Sequence, residues 1–204
     1  MKSRVFFLLL LITILMAPLA ATAASPSYRG SCEITFQVQK TIIKDFSGTA
    51  QCEPFAISVT DNMIKVPDIA VQVTSMDTGN SKRDKDMRTM FEHDTFPLIT
   101  GDAETFAADE FLTAEDKIVR TPEEVSFALT IRDITQQITA TVTEPQIDSS
   151  TISATLIFDL SLSSFELNPP SFLGVIRVKD TVQVKVTMSL DRSPVATEEP
   201  QSQE

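Results

Sequence analysis

The chain has 204 residues, with 17 basic and 28 acidic side chains, a formal net charge of −11, one His, two Cys and no Trp. Such an acidic balance argues against nucleic acid or an anionic membrane as partner, and one His beside two Cys leaves little material for a metal site. One domain is expected at this length.

Met1 to Ala24 reads as a secretory signal: Lys2 and Arg4 precede an apolar run from Val5 to Met16, followed by Pro18 and the small residues Ala20 to Ala24. That run is too short to span a bilayer. The expectation is an exported chain cut near Ala23, periplasmic where the source has an outer membrane, with no stable membrane insertion. Without Lys2 and Arg4, 15 basic residues face 28 acidic ones, a formal charge of −13.

From Cys32 onward apolar residues take every second place. Cys32, Ile34, Phe36 and Val38 face one way and Glu33, Thr35 and Gln37 the other, the pattern of a half-buried strand. Phe46, Gly48, Ala50 and Cys52 continue on a second strand, Pro54 marks a bend, and Phe55, Ile57 and Val59 resume the period. Cys32 and Cys52 lie symmetrically about position 42, so antiparallel pairing sets them opposite each other. In an oxidising compartment a disulfide is expected, with two buried thiols as the alternative. Asp61-Asn62 is a turn, and Ile64 to Val73 make a third strand whose parity shifts at Pro67-Asp68, as a bulge requires.

Residues 81–92 break the alternation. Met87, Met90 and Phe91 fall at i, i+3 and i+4, the apolar face of a short amphipathic helix, with Lys82, Arg83, Asp84, Lys85, Asp86 and Arg88 around it. Asn80 or Ser81 can cap its start, and Pro97 bars continuation. Such a helix is a lid on a barrel end, with or without a ligand beneath it.

Leu98 to Phe106 is a fourth strand, the acidic stretch from Ala107 to Asp116 a loop, and Lys117 to Arg120 a candidate strand. Val125, Phe127, Leu129 and Ile131 alternate up to a turn at Asp133; Ile138, Ala140 and Val142 return. Ile152 to Leu162 and Val178 to Leu190 are the longest alternating runs, and residues 193–204 are a polar, acidic tail with the composition of a disordered segment. About eight strands with polar outward residues predict an all-β fold, an antiparallel sheet closed into a barrel over residues 25–192. An eight-stranded barrel is filled by side chains or holds one small ligand. Small residues at the inward positions Gly48, Ala50, Gly101, Ala103, Ala140 and Ala154 favour a hollow. By strand parity Phe36, Val38, Phe46, Ile69, Val71, Phe127, Leu129, Leu156, Phe158, Val184 and Val186 point inward, as cavity wall or as core.

Enzymatic constellations are scarce. His93 has no second His or reactive Cys to work with, and no G-x-S-x-G, P-loop or Cys/His metal spacing occurs. The acidic pairs Asp84/Asp86 and Glu123/Glu124 are expected to be solvated. Lys82, Arg83, Lys85 and Arg88 form the single concentration of positive charge; they pair with Asp77, Asp84, Asp86 or Glu92, or form a collar for a ligand headgroup.

Ser75-Met-Asp-Thr-Gly-Asn, then Arg83-Asp84, Met87-Arg88, Phe91 and Phe96-Pro97, resemble the signature of YceI-like proteins. Phe127-Ala-Leu-Thr-Ile-Arg-Asp-Ile-Thr, Phe158 to Phe165 and the run from Val178 resemble the later strands of that family, so the likeness extends over Cys32 to Leu190. The resemblance implies an eight-stranded, lipocalin-like barrel, exported to the periplasm, that binds a long-chain polyisoprenoid or other apolar lipid (isoprenoid quinone, prenol or prenyl pyrophosphate) without a cofactor. The Cys pair is peculiar to this sequence. The functional expectation is a non-enzymatic carrier or reservoir, with a homodimer compatible with it. Two other readings are a filled barrel that partners a membrane redox or stress-response protein, and an exported enzyme acting on a lipid, ester or amide.

Overall fold

A computed structural model describes residues 27–40, 45–110, 121–148, 150–169 and 178–193. The expected signal, the Thr41–Lys44 turn, the Lys117–Arg120 strand and the tail beyond Ser193 lie outside these residues. The chain runs β1 (Ser27–Lys40), β2 (Phe46–Gln51), β3 (Phe55–Thr60), β4 (Met63–Lys65), β5 (Ile69–Gln72), α1 (Ser81–Met90), β6 (Leu98–Ala103), β7 (Phe106–Ala107), β8 (Glu124–Ile131), β9 (Ile134–Ile147), β10 (Thr151–Ser161) and β11 (Val178–Ser193). Among the described residues the fold is mostly β with one short α-helix: a strongly curled antiparallel sheet in the order β5-β6-β8-β9-β10-β11-β1-β3-β4-β7, with β2 also paired to β1.

The count of strands exceeds the expected eight because the chain breaks its strands where backbone donors or side-chain parity fail. β1 pairs along its length with β11, and its other edge is shared, Glu33–Val38 with β2 and Ser27–Gly30 with β3. The gap between those two strands contains Pro54, which has no N–H to give a ladder. The expected third strand is likewise two: β4 pairs with β3 and β7, whereas β5, after Pro67, pairs with β6. The expected fourth strand divides into β6 and β7 for the same sheet-switching reason. Two isolated bridges, Thr49 to Asp77 and Cys52 to Val71, bring β2 back against the β5 end of the sheet.

Tight turns follow the sequence closely. Asp61 and Asn62 both take positive φ in the β3–β4 hairpin, and Arg132, also at positive φ, turns β8 into β9 beside Asp133. The disulfide joins Cys32 to Cys52 with 5.4 Å between their Cα atoms.

Asn80 caps α1, its side chain accepting from the backbone N–H of Arg83 at 3.1 Å. The helix stops at Met90, short of Glu92, which adopts a positive φ of 52°. The helix is held by Thr78, whose N–H and hydroxyl both donate to Asp84 Oδ1, at 3.0 and 2.6 Å. Arg83 donates from Nε to the Thr78 hydroxyl and from Nη2 to its carbonyl, both at 2.9 Å. Asp84 is therefore buried, 8% exposed, and is not the solvated carboxylate expected from its spacing with Asp86. Those hydrogen bonds and the nearby Arg88 and Arg83 outweigh burial and hold its pKa below the usual carboxylate value.

Two apolar clusters occupy the interior. One, below α1, contains Val73, Ile131, Leu162, Phe165, Leu167 and Val182; the other contains Tyr28, Cys32, Ala50, Cys52, Phe55 and Ile57. Arg132 ties the first cluster together: Nη1 donates to Glu92 Oε1 at 2.7 Å, and Nη2 to the carbonyls of Phe165 and Glu166 at 2.9 and 3.2 Å.

Candidate functional site: an apolar cavity beneath the helix

Between these clusters the curled sheet encloses a cavity of about 640 Å³. Its wall is made by the inward residues of the strands, as the period of two demands. From β1 and β2 come Phe36, Val38 and Phe46; from β5, Ile69 and Val71; from β8, Phe127 and Leu129; from β10, Leu156 and Phe158; from β11, Val184 and Val186. All eleven positions assigned inward by parity thus line one space. Phe127 and Phe158 meet edge to face there, with ring centroids 5.5 Å apart.

Large inward residues of a filled core lose nearly all their exposure. Here Phe36, Phe46, Phe127, Leu156 and Phe158 face inward and remain only partly buried, because one side of each looks onto the cavity and not onto packed atoms.

The small residues do not all make room. Ala50, Gly101 and Ala103 line the cavity, but Ala140 and Ala154 do not, and Ala140 is fully buried. A Cβ at Gly48 would collide with the Phe36 ring, so that glycine is the seat of an aromatic side chain and contributes no empty volume. At Gly101 a Cβ would sit 3.6 Å from the Phe127 ring, ordinary contact distance.

One end of the cavity is polar. Lys82, Arg83, Asp86, Met87 and Met90 of α1 line it together with Phe91; these recur at the helical period and so share one face. Lys85 and Arg88 do not line the cavity. They lie on other faces of the same helix, so two of its four basic residues, Lys82 and Arg83, border the cavity. Arg83 stacks on the Phe46 ring, 4.2 Å from its centroid, while its Thr78 bonds hold it in place. Lys40 was not singled out in the sequence, although it extends the alternation Cys32, Ile34, Phe36, Val38 by one step. It lines the cavity from the end of β1, with Nζ 4.8 Å from the same Phe46 centroid.

His93 sits 3.3 Å from Asp94 and does not line the cavity. Among the described residues, no cluster of three His, Cys, Asp or Glu could hold a metal ion, and no helix is long and apolar enough to cross a membrane.

Comparison with known proteins places this architecture. A polyisoprenoid binding domain from Saccharophagus degradans, implicated in plant cell wall breakdown, superposes with a TM-score of 0.59 at 13% identity, covering 83% of this chain and 100% of that one. Burkholderia cenocepacia BcnA superposes with a TM-score of 0.51 at 15% identity, covering 78% of this chain and 95% of that one. At such identities the likeness is one of fold. None of the curated proteins matches the chain in sequence. The model of the YceI-like domain matches residues 29–190, from near the start of β1 to near the end of β11, and the chain belongs to the YceI-like domain family.

Proposed function

We propose that the protein is an exported carrier or reservoir that holds a long-chain polyisoprenoid, or a similar apolar chain, inside the curled sheet. We read that sheet as a lipocalin-like barrel of eight strands, counting β2 and β3 as one and leaving β4 and β7 as a side branch. The observation that carries the reading is the apolar hollow of about 640 Å³ walled by half-buried phenylalanines. At roughly 30 Å³ per carbon group, close to the share of a water molecule in the liquid, that volume encloses about twenty carbons, or about four isoprene units. Burying one five-carbon unit is worth roughly 4 kcal/mol. Association costs about 4–15 kcal/mol; at the low end of that range, three to four units, roughly 12–16 kcal/mol, leave micromolar binding or better.

The name of the Saccharophagus degradans domain points to the same ligand class. Export rests on the charged, apolar and small-residue segments of Met1 to Ala24, and the mass of the protein recovered from a periplasmic fraction tests it.

Mass spectrometry of an organic extract of the purified protein tests the binding itself. A co-purifying polyprenyl lipid is the expected result. Recovery of none, together with no binding of prenyl probes, would return the molecule to the filled-barrel, partner-binding reading.

A further inference from the structure

The polar groups of the cavity are confined to one end. Lys40, Asn80, Lys82, Arg83 and Asp86 are its charged or amide lining residues, and all of them belong to the end of β1 or to α1 and its cap. Three cations against one carboxylate make this end positive, in a chain whose formal charge is −11.

The three cations differ in what already occupies them. Arg83 donates from Nε and Nη2 to Thr78 and lies on the Phe46 ring, so it is a fixed part of the wall. Among the described residues, the Lys40 ammonium meets the face of Phe46, and Lys82 is exposed on the cavity face of α1. Among the described residues, neither ammonium lies within ion-pair distance of a carboxylate. Lys40, partly buried with its ammonium over the Phe46 ring, has given up part of its hydration and gains from an anion that replaces it, while exposed Lys82 adds a second, unpaired positive charge on the cavity face of α1.

We infer that the ligand carries an anionic headgroup of phosphate or carboxylate chemistry, held by the ammonium groups of Lys40 and Lys82 where the cavity opens beneath α1. This inference rests on the apolar-chain reading above. It assigns the two ends of one ligand to the two chemistries of the cavity. Phe46, between the cations and the apolar wall, is the boundary at which head gives way to tail.

Geranylgeraniol, geranylgeranyl phosphate and geranylgeranoic acid share one tail and differ only in the head. Calorimetric titration of the purified protein with each separates head from tail, and the two acids distinguish phosphate from carboxylate. At least one anionic probe is expected to bind about tenfold or more tighter than the alcohol, an advantage that shrinks as salt is raised. Lys40→Gln with Lys82→Gln should bring the anion down to the affinity of the alcohol and leave the alcohol unchanged. Each single variant should lose part of the preference, which keeps the test readable if the double variant folds poorly. Lys85→Gln, off the cavity, should change nothing.

An alcohol that binds as tightly as both anions, or an anion preference that survives in both the single and double lysine variants, would overturn the inference and leave the apolar-chain reading standing. Failure of all three probes to bind would overturn that reading itself.

Discussion

The end of the molecule around Phe165 and the wall around Phe158 are built from the same kind of residue and behave differently. Phe165 and Val73 are each about 1% exposed and are closed in by α1, the Ser163–Phe165 turn and the Arg132 ties. Phe158, Phe127 and Phe36 point inward just as faithfully, yet one flank of each borders open volume. Inward direction is a property of the strand. Whether an inward ring is packed or left bordering a hollow depends on what the opposite walls and the cap bring to meet it. The packed end therefore supplies stability and the hollow wall supplies capacity.

The sharpest way to break that division is Phe165→Ala, which removes the best-buried ring. It should cost about 3–5 kcal/mol in urea unfolding; a loss below 1 kcal/mol would mean that this end is not the packed one. Next, replacing Cys32 and Cys52 together by Ala should cost roughly 3 kcal/mol for a loop of about 20 residues, without loss of prenyl binding, measured by unfolding and probe titration on one preparation. Phe158→Ala should cost less than Phe165→Ala, about 1–2 kcal/mol, because the ring gives up contacts on one flank only. Equal costs at the two phenylalanines would erase the distinction.

Acid should act, through Asp84, on the hydrogen bonds that hold the start of α1. Its folded pKa is lowered from 3.8, chiefly by the Thr78 hydroxyl. Its charged form therefore contributes stability that is complete above that value and is lost as pH falls through the lowered folded pKa. Unfolding midpoints should drop between about pH 4 and the acid limit, and Asp84→Asn should flatten that slope while lowering stability at pH 7. The smallest effect on stability is expected at the hollow wall. Gly101→Leu has room for its Cβ beside Phe127 and should shift stability by no more than about 1 kcal/mol, yet its side chain enters the cavity and should abolish binding of geranylgeraniol. Retained binding would show that the ligand lies elsewhere.

Much of this was legible in the residues. Alternation identified the inward positions of every long strand, symmetry about position 42 paired the two cysteines, and the i, i+3, i+4 spacing of Met87, Met90 and Phe91 marked α1 and its cavity face. These are local periodicities, and the backbone enforces them wherever the chain goes. The motif from Ser75 to Arg88 was legible as a signature but not as a mechanism: its Thr78, Arg83 and Asp84 turn out to clasp the helix to the segment that leads into it.

What sequence patterning could not supply depends on distances between parts far apart in the chain. The division of the expected third and fourth strands follows from which neighbour each half finds, β3 and β7 for β4, and β6 for β5. A glycine signals absent volume, but only the fold places the Phe36 ring over Gly48 and leaves Gly101 facing the hollow. Four basic residues on one short helix look alike in composition, and the rotation of α1 against the sheet admits Lys82 and Arg83 to the cavity and leaves Lys85 and Arg88 outside it. By itself the sequence determined which faces are apolar and where they turn, because direction along a strand or helix is a local property. The existence of the hollow, its size and its positive end were decided by tertiary structure, since empty space is set by every wall at once.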